Sequence, residues 1–171
     1  MTNFFKPVYF VLFYFSCLKD VSGQSALRKI PEIQLKNLNG ENVNSTGLLN
    51  KDGLTVISFW ATWCKPCILE LSSMKELYSN WQKETNVKIV AVSIDDSRNN
   101  SKVGPLVNGK GWLYDIALDA NGDFKRALNV NNIPHTFLLN ANGEILWQHN
   151  SYAPGDEDDL FELIKKYTPK K

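Results

Sequence analysis

Apolar residues in this chain fall into two kinds of pattern. Compact runs rich in β-branched and aromatic residues occupy positions 54–60 and 87–94, and they predict buried strands. Between them Cys67, Leu71, Met74, Tyr78 and Trp81 recur at steps of four, three, four and three, a stripe along one helix face. Upstream, positions 32–35 predict a short strand, Asn39-Gly40 a turn, and Val43 the opening of a partner strand. Downstream, 113–118 and 136–139 predict strands and 120–128 a short helix. A helix over 97–108 is expected to kink or split at Gly104-Pro105. Asn142-Gly143 turns the chain into a strand at 144–148. The last element, 156–167, carries the stripe Leu160, Leu163, Ile164 and Tyr167. Its acids, Asp156 to Asp159, crowd the start, while Lys165 and Lys166 sit near the end, which complements a helix dipole. Strands alternating with helices, then a hairpin and a helix, predict an α/β fold: a mixed β-sheet flanked by helices, with an N-terminal strand or hairpin extension.

The first residues follow another logic. Lys6 precedes an apolar run at 8–18, and Lys19-Asp20-Val21-Ser22-Gly23 comes after it. This order of charge, apolar run and small residues predicts a secretory signal peptide over 1–23, cut ahead of Gln24, with one domain over 24–171. The rival is an uncleaved membrane anchor, for which the run is short. A lipid-modified Cys17 fits poorly after Tyr14-Phe15-Ser16. Cleavage would leave Cys64 and Cys67 as the only cysteines, in a compartment where disulfides persist. The protein is thus expected to be extracytoplasmic.

Composition narrows the function classes. In 171 residues, 19 basic and 18 acidic side chains give a net charge of +1, which offers no electrostatic case for nucleic acid. Three cysteines exclude a disulfide-rich miniature scaffold. Oligomeric state is left open.

The chemistry concentrates in Trp63-Cys64-Lys65-Pro66-Cys67, where the strongest predicted strand stops and the strongest helix starts. A helix N-terminus exposes unpaired N–H groups and the positive end of the dipole, and both favour a thiolate. Lys65 adds a positive charge, and Pro66 suits a first turn where its missing N–H costs nothing. A free thiol near pKa 8.5 is only a few per cent ionised at neutral pH. Lowering it by about 1.5 units corresponds to about 2 kcal/mol in favour of the thiolate. Cys64 is therefore the expected attacking sulfur. Cys67, one turn on, is expected to resolve the mixed disulfide. A structural bridge over so short a loop gains little from loop closure. A zinc site would need two more ligands, and only His135 and His149 remain, so no metal or other cofactor is expected beyond the redox-active disulfide.

The segment Phe59-Trp60-Ala61-Thr62-Trp63-Cys64-Lys65-Pro66-Cys67 resembles the active-site signature of thioredoxin-like proteins, most nearly the secreted or membrane-tethered TlpA/ResA type. A second motif, Ile133-Pro134-His135-Thr136-Phe137, resembles the cis-proline loop of that family. The resemblance implies a cis Ile133–Pro134 bond beside the cysteines, with Trp63, Ile133 and Pro134 meeting an extended substrate by strand addition. It implies a thiol–disulfide oxidoreductase that reduces client protein disulfides, as in cytochrome c maturation or cell-envelope thiol homeostasis. A membrane thiol donor would recharge it.

Where cytoplasmic thioredoxins carry a buried Asp, this chain has Ser58. The TlpA/ResA type instead has a Glu three residues after the second cysteine, which corresponds to Glu70. Glu70 is read either as the acceptor of the Cys67 proton or as an exposed helix carboxylate. The family often has a Pro where Ser72 stands, which leaves the placement of Glu70 open. His135 is read either as a residue tuning Cys64 or contacting substrate, or as a loop residue with its ring in solvent. Asp95 and Asp96 are read as lining the same sheet end or as capping the next segment. Trp60 and Trp63 are expected to form an apolar collar. Two other functions on this fold, a copper carrier and a peroxiredoxin-like peroxidase, fit less well. The carrier spaces its cysteines by three residues, and the peroxidase has a different local pattern.

Overall fold

The computed structural model describes Met1 and residues 27–169. The predicted signal peptide after Met1, with Cys17, lies outside the described residues. Among the described residues seven strands and four α-helices follow one another: β1 (Gln34–Lys36), β2 (Asn42–Asn44), β3 (Thr55–Trp60), α1 (Lys65–Thr85), β4 (Lys88–Ser93), α2 (Val103–Lys110), β5 (Asp115–Leu118), α3 (Asp123–Ala127), β6 (His135–Leu139), β7 (Ile145–Asn150) and α4 (Asp156–Tyr167). They form one sheet in the order β2-β1-β5-β4-β3-β6-β7. Strands β3, β4 and β5 run parallel, and β6, β7, β1 and β2 add antiparallel pairs at the two sides. This is the expected mixed sheet with its N-terminal hairpin.

Strand alternation divides the core. On one face Val56, Trp60, Ile89, Ala91 and Leu138 pack under Leu71, Met74, Tyr78 and Trp81 of α1 and Leu160 and Ile164 of α4. On the other, Ile57, Phe59, Val90, Val92, Phe137 and Leu139 pack against Phe124 of α3 and Leu128. All six residues of β3 are buried, as a strand covered on both faces requires. Tyr114 reaches across to donate its hydroxyl to the Leu71 carbonyl at 2.7 Å.

The helix over 97–108 is not split as expected. A single 3-10 turn, Asn100–Lys102, leads into α2, and Gly104 and Pro105 fall in the first turn of that helix. The N–H groups there have no intrahelical partner, so proline costs nothing and acts as a start rather than a break. Leu113, placed in a strand by its apolar neighbours, is exposed and lies before β5.

The start of the described chain is strapped to the far end of the sheet. Ile30 N–H donates to the Gly143 carbonyl at 3.0 Å, and Ile145 N–H donates to the Arg28 carbonyl at 2.8 Å. Gly143 has φ +76°, and a Cβ there would meet Leu49 at 3.1 Å and Ile30 at 3.3 Å. That turn needs glycine both for its backbone and for the closeness of the strap.

Candidate active site

Strand β3 delivers the chain to the site. After Trp60 it turns through Ala61–Trp63, with Cys64 N–H bonded to the Ala61 carbonyl at 3.0 Å, and Cys64 becomes the N-cap of α1. Its sulfur accepts the Cys67 N–H at 3.3 Å, so a helix-terminal donor points at it. Cys64 and Cys67 are joined in a disulfide, with Cα atoms 5.3 Å apart. Cys64 retains 6% of its exposure at the rim, whereas Cys67 is sealed beneath it at 0%. Of the two residues only Cys64 touches the surface, which suits it to meet an outside partner first. Trp63, Lys65 and Pro66 are exposed around the rim, and Pro66 lies in the first turn of α1. Trp60 is not part of that collar; it is fully buried, edge-on to Trp112 with ring centres 5.0 Å apart.

The Ile133–Pro134 bond is cis, and Pro134 is buried directly before β6. Among the described residues no backbone hydrogen bond engages Ile133.

Glu70 lies one helical turn after Cys67 and is buried. Its Oε1 accepts the Thr136 hydroxyl at 2.7 Å and its Oε2 the Ser58 hydroxyl at 2.9 Å. Ser58, which stands where thioredoxins carry a carboxylate, thus helps to hold one reached from the helix. Burial pushes the Glu70 carboxyl up to about 7; the Thr136 and Ser58 hydrogen bonds oppose this, and Asp156 and Glu157 add to it. A cavity of about 10 Å³ borders the carboxyl between Thr136, Trp147, His149 and Tyr152, room for about one water. The exposed-helix alternative for Glu70 is excluded, since the carboxyl is buried with Ser72 standing where the family often has a proline.

His135 is the predicted site residue that the structure turns away. It is the first residue of β6, and its ring stacks on Phe137 at 4.5 Å with Nε2 buried and unpartnered. Thr136 faces Glu70, so alternation sends His135 and Phe137 to the other face. His135 is therefore half-buried on the sheet face opposite α1, which gives no support to the expectation that it tunes Cys64. Burial pushes its imidazole pKa down. Asp95 is ambiguous in sequence, yet it proves a buried partner of the loop before Cys64, accepting the Thr62 N–H at 2.8 Å. Its signal is topological: β3 and β4 are parallel, so the loop leaving β3 lies beside the loop leaving β4. Larger hollows, of about 450 and 270 Å³, lie along the β1–β2 hairpin and away from the cysteines. No group of three His, Cys, Asp or Glu side chains that could hold a metal occurs among the described residues.

Comparison with known proteins agrees with this geometry. Residues 26–148 match the AhpC/TSA family. The chain belongs to that family. It is 36% identical over 117 residues to the thiol-disulfide oxidoreductase ResA of Oceanobacillus iheyensis, a match covering 67% of this chain and 59% of that protein. The solution structure of an uncharacterized thioredoxin-like protein from Porphyromonas gingivalis superposes with a TM-score of 0.73 at 45% identity, covering 81% of this chain and 91% of that one. The crystal structure of StoA from Bacillus subtilis gives 0.63 at 28% identity, covering 78% and 96%. With the Cys64–Cys67 disulfide in place, these relatives make the protein a thiol–disulfide oxidoreductase of thioredoxin-like fold.

Proposed function

We propose that the protein works outside the cytoplasm as a reductase of client protein disulfides. The observation that carries this reading is the layered site: a rim sulfur facing a helix N-terminus, a sealed second sulfur, and a buried carboxyl one turn behind it. In the reduced protein the Cys64 thiolate attacks a client disulfide, joins one client sulfur and releases the other as a thiolate. Cys67 then gives its proton to Glu70 and attacks the Cys64 sulfur. The second client thiolate leaves, and two electrons have passed from the cysteine pair to the client, closing the Cys64–Cys67 bond. Glu70, with a pKa of about 7, is divided between its acid and base forms near neutrality, which suits it to take up that proton and return it.

Trp63 offers an exposed apolar contact, and the free backbone of Ile133 before Pro134 offers strand pairing to an extended client segment. Lys65 and Pro66 shape the first turn at Cys64. A membrane thiol donor re-reduces the pair, and the clients are those of cytochrome c maturation or envelope thiol homeostasis. A signal peptide ending at Gly23 delivers the chain.

The test is equilibration of the couple against glutathione and dithiothreitol. A potential below about −230 mV supports a reductase, whereas one near about −120 mV means the protein donates disulfides instead. A bridge that resists reduction until the protein unfolds overturns the catalytic reading. N-terminal sequencing of protein recovered from outside the cytoplasm should begin at Gln24; recovery only from the cytoplasm overturns the compartment.

A further inference from the structure

We infer that Asp95 is a positioning residue for Cys64, gripping the loop that delivers the sulfur to the helix N-terminus. The inference rests on the oxidoreductase reading and extends it beyond the residues that meet substrate.

The parallel strands β3 and β4 end side by side, with Trp60 opposite Ser93. From there one chain enters the loop 61–63 and the other reaches Asp95, which is 1% exposed. Asp95 Oδ2 accepts the Thr62 N–H at 2.8 Å and the Ser93 hydroxyl at 2.8 Å, and Oδ1 accepts the Thr62 hydroxyl at 2.7 Å. Asp95 N–H in turn donates to the Ser93 hydroxyl at 3.1 Å. The carboxylate is thus fixed to its own strand end and holds Thr62 at both backbone and side chain.

Local capping does not account for this carboxylate. Asp96 caps the next turn, its Oδ1 accepting the N–H groups of Arg98 and Asn99 at 3.1 Å each. Asp95 instead reaches across 33 residues of sequence to a residue two positions before the attacking cysteine. From Thr62 the chain has only Trp63 before Cys64, which is itself held by the Ala61 carbonyl on one side and by Ile68 N–H, bonded to its own carbonyl at 3.1 Å, on the other. The Cys67 N–H meets the sulfur at 3.3 Å. A loop free to shift by an ångström would lose that donor, because such bonds weaken steeply with distance and angle. The thiolate would then lose the group that favours it over the thiol.

Grip and charge predict opposite results. A negative charge acting directly on Cys64 would disfavour its thiolate, so removing the charge would lower the thiol pKa. Removing a grip would raise it. Asp95→Asn separates the two. The Asn oxygen can accept from Thr62 N–H and Ser93, and its amide can donate to a turned Thr62 hydroxyl, so the grip survives without the charge.

The experiment follows iodoacetamide labelling of Cys64 in the reduced full chain across pH, with the labelled site identified by mass spectrometry. Asp95→Ala is expected to raise the apparent Cys64 pKa by about one unit and slow labelling near neutral pH about fivefold. Asp95→Asn should stay within about twofold of the parent. Thr62→Val, which keeps the N–H and loses the hydroxyl, should slow labelling by about threefold, and it decides the matter should Asp95→Ala fail to fold. An unchanged Cys64 pKa in folded Asp95→Ala, or in Thr62→Val where that serves as the arbiter, overturns the inference. So does a lowered pKa shared by Asp95→Ala and Asp95→Asn, which would assign the effect to charge. A parent Cys64 that titrates like a free thiol near about 8.5 would instead count against the oxidoreductase reading itself.

Discussion

Replacing Glu70 by Gln should stabilise the oxidised protein, and only above a definite pH. The carboxyl is buried, with Ser58 and Thr136 as its two hydroxyl partners. Its pKa rises from an ordinary 4.5 to about 7 on folding, mainly through burial. Between those values the folded state binds a proton that the unfolded chain has released, so stability falls as pH rises. At about 1.4 kcal/mol per unit, the full cost of holding Glu70 ionised is on the order of 3 kcal/mol. The substituted amide keeps the shape, accepts from one hydroxyl and donates to the other, and carries no charge. Below pH 4.5 the parent and Glu70→Gln should unfold alike, because Glu70 is then neutral in both states. The difference should grow through pH 5–7 and level off above the folded pKa, with the variant the more stable. Urea unfolding followed by tryptophan fluorescence at half-unit pH steps measures it, with the disulfide intact. A difference that stays flat from pH 4 to 8, or one that favours the parent at pH 8, would refute the assignment of a buried, proton-holding carboxyl.

The same site supports further expectations. Cys67→Ser should trap clients as mixed disulfides on Cys64, visible on non-reducing gels, whereas Cys64→Ser should trap none and reduce no insulin; trapping by Cys64→Ser would reverse the assigned roles. Thr136→Val removes a donor that lowers the Glu70 pKa, so the acid limb of the pH–rate profile for client reduction should move to higher pH, and a shift to lower pH contradicts it. Tyr114→Phe loses a buried hydroxyl-to-carbonyl bond at 2.7 Å and should cost about 1–3 kcal/mol in denaturant titration while leaving client reduction within about twofold.

Part of this fold and site is legible in the sequence and part is not, for physical reasons. The predicted bounds of α4 coincide with those of the structure, because its charges mark both ends and its apolar stripe fills the middle. The cysteine stripe places α1, but Glu70 is singled out only by the resemblance, and its burial beside that stripe is a finding of the structure. What spacing cannot reveal is the pair of hydroxyls waiting there, since Ser58 and Thr136 come from β3 and β6. His135 escapes sequence reading because its facing depends on where the strand begins, and one residue decides the side. Pro105 misleads because proline ends a helix or begins one according to its position in the turn, and the helix start is unmarked. Asp95 needs knowledge of which strands lie side by side.

The strap of residues 28–30 on the Gly143 turn fixes where the first described residues of the domain lie relative to the cysteines. Leu139, just before that turn, pairs with Thr55 at the start of β3, while Cys64 lies beyond the end of β3. A six-residue strand, about 20 Å long, therefore separates the two poles. Residues 28–30 thus dock at the pole opposite the disulfide, and the rim around Cys64 is left clear of them.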